Sequence, residues 1–519
     1  MIKKENQKNV MEYPRVDIDF NPKFEPLKKI KDKTTINVRY CLIKPFAYAH
    51  IYWNEKEMEV LYEVEEPELN DQEKKYKEEL ISSMRELVNF DEVIEKDQDK
   101  LLEYIDKMSK ILIIELGMNI PYESYKKIYY YLCRDFIGFN KVEPLLRDYF
   151  VEDIECNGAN SSIYLVHRVY RNLKTNLIFN DMDELSSFVE KLAQRSGKYI
   201  SYADPILDSS LPDGSRVNAT YTKDITSKGP TFTIRKFTKT PWTPPQLLQF
   251  ETMSPEMLAY LWILVEHKMN ILIAGGTGSG KTTLLNAIGF FIPPEARVVT
   301  IEDTRELNLP RDNWLPGVIR PSTRGEEGGI DLFDLLKASF RQIPDYVIVG
   351  EIRGKEAYVL FQGMASGHSS IGTIHADSVD TVIKRLETPP IELSPTLLNV
   401  LDCVCIMTHA VVNGQETRKL KEIVEIINVT PEGIAQTNTP YIWNPADNKF
   451  YFKKNSKILE KISKRNGIPL EELNKEFLRR VQILYRLYQD KVYKFKEVQE
   501  VIIRYYKKPE EILKRYNIS

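Results

Sequence analysis

The sequence predicts an α/β protein in which a parallel-rich sheet domain follows an α+β domain across a proline-rich linker, with helical regions toward both ends. Three observations predict it. Short apolar runs alternate with helical segments between residues 270 and 374, and a Gly-rich turn joins one of these runs directly to a helix. Upstream, residues 151–237 mix period-two alternation with a single helical stripe. The 519 residues leave ample length for a large core and roughly three or four compact units.

Taken in order, residues 1–35 are Lys-rich with little periodicity and read as a mobile arm. Residues 36–150 begin with strand-like runs at Ile36–Ile43, Ala47–Trp53 and Val60–Val64, then become helical from 71, rich in Glu, Lys, Leu and Tyr. From Val151 the texture changes. Ile163–Tyr170 alternates, Leu185, Phe188, Val189, Leu192 and Ala193 share a helical stripe, and Gly197 is a helix stop. Strands at Arg216–Thr222 and Thr231–Phe237 follow the Asp213-Gly214 turn, giving an α+β domain over 151–237. Residues 238–245 hold three prolines within five positions and are expected to be a stiff hinge without helix. Over 246–455, strands at Asn270–Ala274, Arg297–Ile301, Tyr346–Val349 and Ser369–Ile374 alternate with helices. In the helical tail, 456–519, one stripe carries Leu473, Phe477, Val481, Leu484 and Tyr488.

The sharpest motif is Gly275, Gly276, Thr277, Gly278, Ser279, Gly280, Lys281, Thr282, a full match to GxxxxGK[ST] with Thr283 the last residue of the cradle and a helix over Thr282–Phe290. A strand enters it and a helix leaves it. Glycines let successive backbone N–H groups turn toward phosphate oxygens, and the helix N-terminus favours the anion. Lys281 is expected to reach the β- and γ-phosphates of a nucleotide, and the Thr282 hydroxyl to ligate Mg²⁺.

Three further stations follow strand ends, where ligands sit in an open α/β sheet. Glu302, Asp303 and Glu306 lie in Thr300-Ile-Glu-Asp-Thr-Arg-Glu306, where one carboxylate could polarise an attacking water and another hold Mg²⁺ through its water shell. Pro344-Asp-Tyr-Val-Ile-Val-Gly350-Glu351-Ile-Arg353 resembles a Walker B strand, with Gly350 where an Asp usually ends the apolar run. Its acid is Glu351, placed to act on the shell of Mg²⁺ or on the water. Two of the six histidines, His368 and His375, flank the next strand, and His375 at its end could contact the γ-phosphate or the water.

Composition narrows the class further. A net charge of -3 and the lack of a basic–aromatic strip argue against a nucleic-acid partner. The five cysteines form no CxxC pair, and Cys403 and Cys405 are expected to pack on one strand face. No apolar stretch reaches the ~18–20 residues of a membrane span and the start lacks a signal-peptide core, so a cytoplasmic protein is expected.

The ordered set of cradle, TIEDTREL box, Gly-Glu strand end and GHSSIGTIHA box resembles the type II/type IV secretion ATPase superfamily, and details of the amino-terminal half are similar to archaeal pilus-assembly and archaellum members. The resemblance spans roughly residues 140–455 and implies a RecA-like P-loop domain at 246–455 that uses ATP and Mg²⁺. It implies a homohexamer working against a polytopic membrane platform protein, and so a peripheral position at the inner face of the membrane. It assigns Lys281 and Thr282 to the cradle, Glu306 as the water-polarising acid with Glu302 the alternative, Glu351 as the Walker B acid and His375 as the functional histidine. Arg216 and Arg235 match the family arginines that reach the phosphates, with Arg320 and Arg324 as weaker interface candidates. The four-cysteine zinc module of many bacterial members is missing from the sequence, so no zinc is expected. Intact Lys281, Glu306 and Glu351 argue against a catalytically silent nucleotide sensor.

Overall fold

The structure, a computed structural model, describes residues 13–22, 27, 30, 32–87, 98–237, 240–320, 328–412 and 414–518. The chain divides into two compact units, residues 1–237 and 238–519.

The first unit carries strands β1 (Asn37–Ile43), β2 (Ala47–Asn54), β3 (Glu59–Glu65), β4 (Val151–Cys156), β5 (Ser162–His167), β6 (Arg171–Ile178), β7 (Ile206–Ser210), β8 (Arg216–Thr220) and β9 (Thr231–Arg235). Its helices are α1 (Asp71–Leu87), α2 (Gln98–Glu115), α3 (Tyr122–Phe136), α4 (Glu143–Arg147) and α5 (Met182–Arg195). All nine strands join one sheet in the order β1-β2-β3-β6-β5-β4-β9-β8-β7. No break therefore falls at residue 150, where the sequence texture changes, because β3 pairs in parallel with β6 at Leu61–Lys174 and Tyr62–Thr175. The α5 stripe is buried as its period requires.

Residues 13–22, expected within a mobile arm, are instead docked on this unit. Val16 and Phe20 are buried in its core, Asp19 pairs backbone to backbone with Lys44, and the Tyr13 ring stacks on Tyr125 at 4.4 Å. These anchors come singly, without a period, so pattern reading misses them. A polar knot closes the unit: the Tyr40 and Tyr62 hydroxyls both donate to Asp148 Oδ2 at 2.6 Å. Beside it lies buried His167, whose Nδ1 accepts the N–H groups of Val169 and Tyr170 at 3.2 and 3.1 Å. Burial pushes its pKa down to about 4.

The second unit begins with α6 (Pro244–Gln249) and α7 (Pro255–Glu266). The expectation that the prolines exclude helix is corrected here: Pro244 and Pro245 occupy the first turn of α6, where no backbone N–H is needed, behind Thr243 as cap. Next come β10 (Ile271–Gly275), α8 (Lys281–Gly289), β11 (Val298–Glu302), β12 (Trp314–Val318), α9 (Leu332–Phe340), β13 (Tyr346–Ile352), α10 (Glu356–Ala365), β14 (Ser369–Ile374), α11 (Val379–Glu387) and α12 (Pro395–Leu398). Strands β15 (Cys403–Val412), β16 (Gln415–Val429), β17 (Ala435–Asn444) and β18 (Lys449–Phe452) complete a sheet ordered β12-β11-β13-β14-β10-β15-β16-β17-β18. The part from β12 to β15 is parallel and the rest antiparallel. This is the parallel-rich α/β domain the sequence predicts. Both faces of the parallel part are covered: Ile271 and Ile273 pack with α7 and α8, while Leu272 and Ala274 pack with the α9–α12 side. Cys403 and Cys405 lie buried together on the α7 face.

The tail forms α13 (Lys457–Asn466), α14 (Leu470–Gln489), α15 (Phe495–Lys507) and α16 (Pro509–Tyr516), and it belongs to the core of the second unit. Trp262 of α7 is fully buried, stacks on Phe291 at 5.0 Å and donates its Nε1–H to the Tyr506 hydroxyl at 2.9 Å. Buried Arg480 of α14 pairs with Glu266 and Glu476.

Candidate nucleotide site

The Gly-rich loop turns through two left-handed glycines, Gly278 (φ 69°) and Gly280 (φ 95°), before α8 begins at Lys281. That region of backbone space is open to glycine and strained for most side chains. Gly275 is needed for a second reason: a Cβ there would meet Ser279 Oγ at 2.4 Å and the Met407 carbonyl oxygen at 2.7 Å. No side chain caps α8, so its first-turn N–H groups are left to an anion. Lys281 Nζ curls over the loop and donates to the Gly275 and Gly276 carbonyls at 2.9 Å each. Burial lowers its pKa, against the opposing pull of Glu351 and Glu306 nearby.

Parallel pairing of β10 with β14, of β14 with β13 and of β13 with β11 puts their carboxyl ends on one edge. The register of β13 slips between Val349 and Ile352, so Gly350 and Glu351 form a bulge that re-aims the acid. Glu351 Oε2 accepts from Arg353 at 2.6 Å, and Arg353 also reaches Asp303 at 3.2 Å. Burial alone would raise the Glu351 carboxyl, but Arg353, Lys281 and His375 hold it below the usual range. His375 Nε2 lies 3.0 Å from the Thr277 hydroxyl, linking the end of β14 to the cradle.

Glu302 ends β11 and is 2% exposed. Its Oε1 accepts the backbone N–H groups of Glu306 and Leu307, both at 2.9 Å, and burial raises its pKa to about 7. The glycine at 350 has its explanation here, since a Cβ there would come within 3.1 Å of Glu302 Cγ. Glu306 itself is exposed. Asn286 of α8 ties the turn from the other side, donating to the Glu306 carbonyl at 3.3 Å and accepting from Asn308 N–H at 2.9 Å.

The structure thus gathers Gly275–Thr283, Glu302, Glu306, Glu351 and His375, all from the second unit. His368 sits at the opposite end of β14 against Phe340, at 5.0 Å, so the strand separates the two histidines. Arg320 donates to the Gly328 carbonyl at 2.8 Å, and Arg324 lies outside the described residues. Arg216 and Arg235 belong to the first unit, where β8–β9 pairing sets them directly opposite each other. Arg216 binds Asp208 through two contacts of 3.1 and 2.9 Å, and Arg235 lies 3.5 Å from Asp153.

Sequence reasoning gives no role to three residues at the site. Arg353 stands in the Walker B-like run and was readable as a partner for its acids. Asn286, in the Asn286-Ala-Ile run after the cradle that resembles archaeal members, carried no assigned role, because what it does is bind backbone groups. Arg418 of β16, whose Cδ would lie 3.4 Å from a Cβ at Gly280, comes from an antiparallel hairpin distant in sequence.

A family model described as type II/IV secretion system protein matches residues 137–427, more than half of the chain. The chain belongs to this family. An uncharacterized protein of Methanocaldococcus jannaschii, MJ0900, is 35% identical over 506 residues, covering 93% of this chain and 91% of that one. The type IV secretion system protein PtlH of Bordetella pertussis is 35% identical over 228 residues, 40% of this chain and 67% of PtlH. Among solved structures, the VirB11 ATPase of the Brucella suis type IV secretion system, in complex with sulphate, is 26% identical, with 54% of this chain and 95% of that chain covered and a TM-score of 0.29. The fold the family resemblance implies, a RecA-like domain preceded by a second domain, is the one present. Among the described residues no helix is long and apolar enough to cross a membrane.

Proposed function

We propose that this member of the type II/IV secretion family hydrolyses ATP and works as a homohexameric motor on a polytopic membrane platform protein of a pilus, secretion or archaellum machine. What supports this reading is the convergence of Lys281, Glu351 and the Thr277–His375 pair on one sheet edge around a glycine cradle. The cradle fits a triphosphate, because its glycines leave room and its helix terminus favours an anion. Thr282 and Glu351 offer oxygen donors of the kind Mg²⁺ takes alongside substrate phosphates, and the ion supplies charge neutralisation for the transferring phosphoryl group.

Lys281 leaves its two carbonyl partners for the phosphates, Glu306 orients the water, and Glu351 holds charge at the bulge, with Arg353 as its counter-ion. His375 reports the state of the γ-phosphate position to β14 through Thr277. The family resemblance would give Arg216 and Arg235, like charges opposed across β8 and β9, a guanidinium role of the kind in which arginine contributes roughly 10³–10⁵ in rate. The motor acts at the inner face of the membrane through its partner. The test is ATP turnover by the purified chain and by Lys281→Ala, with oligomeric state by light scattering. Turnover by a hexamer, lost at least about a hundredfold in the variant, is expected. Equal turnover in the variant refutes the site. Deleting the gene and imaging surface filaments then assigns the machine.

A further inference from the structure

We infer that Glu302 is a positioning residue, which holds the turn of residues 303–307 so that Glu306, and not Glu302, presents its carboxylate to the water. This deepens the hydrolytic reading above and rests on it.

The backbone of Glu306 is clamped on both sides. Its N–H is held by Glu302 Oε1 at 2.9 Å and its carbonyl by Asn286 Nδ2 at 3.3 Å. The next residue repeats the pattern: Leu307 gives its N–H to the same oxygen at 2.9 Å and buries its side chain completely. With both backbone groups fixed, the exposed side chain is the part of Glu306 left to address the nucleotide. Glu302 has the opposite disposition. One oxygen is committed to two backbone donors, and the other is buried with no hydrogen-bond partner. A base must reach a water within hydrogen-bond range, and an oxygen sealed in this way does not.

Gly350 completes the device. A Cβ at 350 would stand 3.1 Å from Glu302 Cγ and 3.4 Å from its Cβ, so the glycine that departs from the usual Walker B ending is the space Glu302 occupies. The same glycine precedes Glu351 in the bulge of β13. One buried side chain therefore stands at both acid stations: it holds the backbone of Glu306 through a hydrogen bond and lies against Gly350, the residue before Glu351. Misplacement of a catalytic group by about 1 Å costs on the order of a hundredfold in rate, which is the scale at stake.

The experiment compares Glu302→Gln, Glu302→Ala and Glu306→Gln in the full chain, reading kcat, KM for ATP and amide hydrogen exchange at residues 306 and 307. Glutamine keeps an acceptor oxygen, so Glu302→Gln is expected to lose no more than about tenfold in kcat and to keep both amides protected. Glu302→Ala is expected to lose about a hundredfold in kcat with KM within about threefold, and to speed exchange at both amides. Glu306→Gln is expected to lose at least about a hundredfold with exchange unchanged. A Glu302→Gln enzyme as inactive as Glu306→Gln would make Glu302 the base and overturn the inference. Unchanged exchange in Glu302→Ala overturns it as well. Should that variant not fold, the two glutamine variants decide. A wild-type chain without ATP turnover refutes the hydrolytic reading, while exchange still decides whether Glu302 holds the turn.

Discussion

Acidification from pH 7 to pH 5 is expected to weaken the first unit by about 2 kcal/mol through His167 alone. The ring is buried, and Nδ1 accepts two backbone N–H groups at 3.2 and 3.1 Å, so a proton there would break both bonds. Burial dominates the downward shift, Arg168 and Lys236 add to it, and Asp148 and Glu152 oppose it. In the folded state the pKa is about 4 against an ordinary 6.5. Between those values the unfolded chain binds a proton that the folded chain refuses. Stability is therefore fully present above 6.5, falls as pH falls through this window, and the loss is complete below about 4. The whole gap is worth about 3 kcal/mol, of which about 2 has gone by pH 5. Urea unfolding of wild type and His167→Gln at both pH values isolates the term, because other titrating groups cancel in the difference. Hydrogen exchange of first-unit peptides shows which unit responds. The same pH dependence in both proteins would refute the reasoning.

Three more outcomes follow from the packing. Gly350→Ala is expected to lower ATP turnover about tenfold with nucleotide affinity nearly unchanged, because the new methyl presses on Glu302 rather than on the cradle; equal kcat in steady-state kinetics contradicts this. Trp262→Ala is expected to cost the second unit about 3–5 kcal/mol in denaturant unfolding, by leaving Phe291 and Tyr506 without their central partner. Thr243→Ala is expected to cost about 1 kcal/mol in the same assay, through loss of the α6 cap and of a 3.1 Å bond to the Tyr493 carbonyl.

The cradle, the strands around it and the parallel sheet were legible because each is local: a Gly-rich turn, short apolar runs and acids at their ends all lie within a few residues. What escaped depends on contacts distant in sequence. Val16 and Phe20 dock as isolated anchors, so the segment reads as an arm. Pro244 and Pro245 look like helix breakers until their place in the first turn of α6 is known. The antiparallel strands from β16 onward carry Arg418 to the cradle with no motif to mark it. At the site, sequence could name Glu302 and Glu306 but not separate them, since burial distinguishes them and burial is a property of the fold.

The interlock of Trp262, Phe291, Tyr506 and Arg480 has a mechanical consequence. It couples the last four helices to α7, the helix that leads directly into the strand feeding the cradle. The helices of the tail are therefore tied, through one continuous set of buried side chains, to the sheet that carries the cradle.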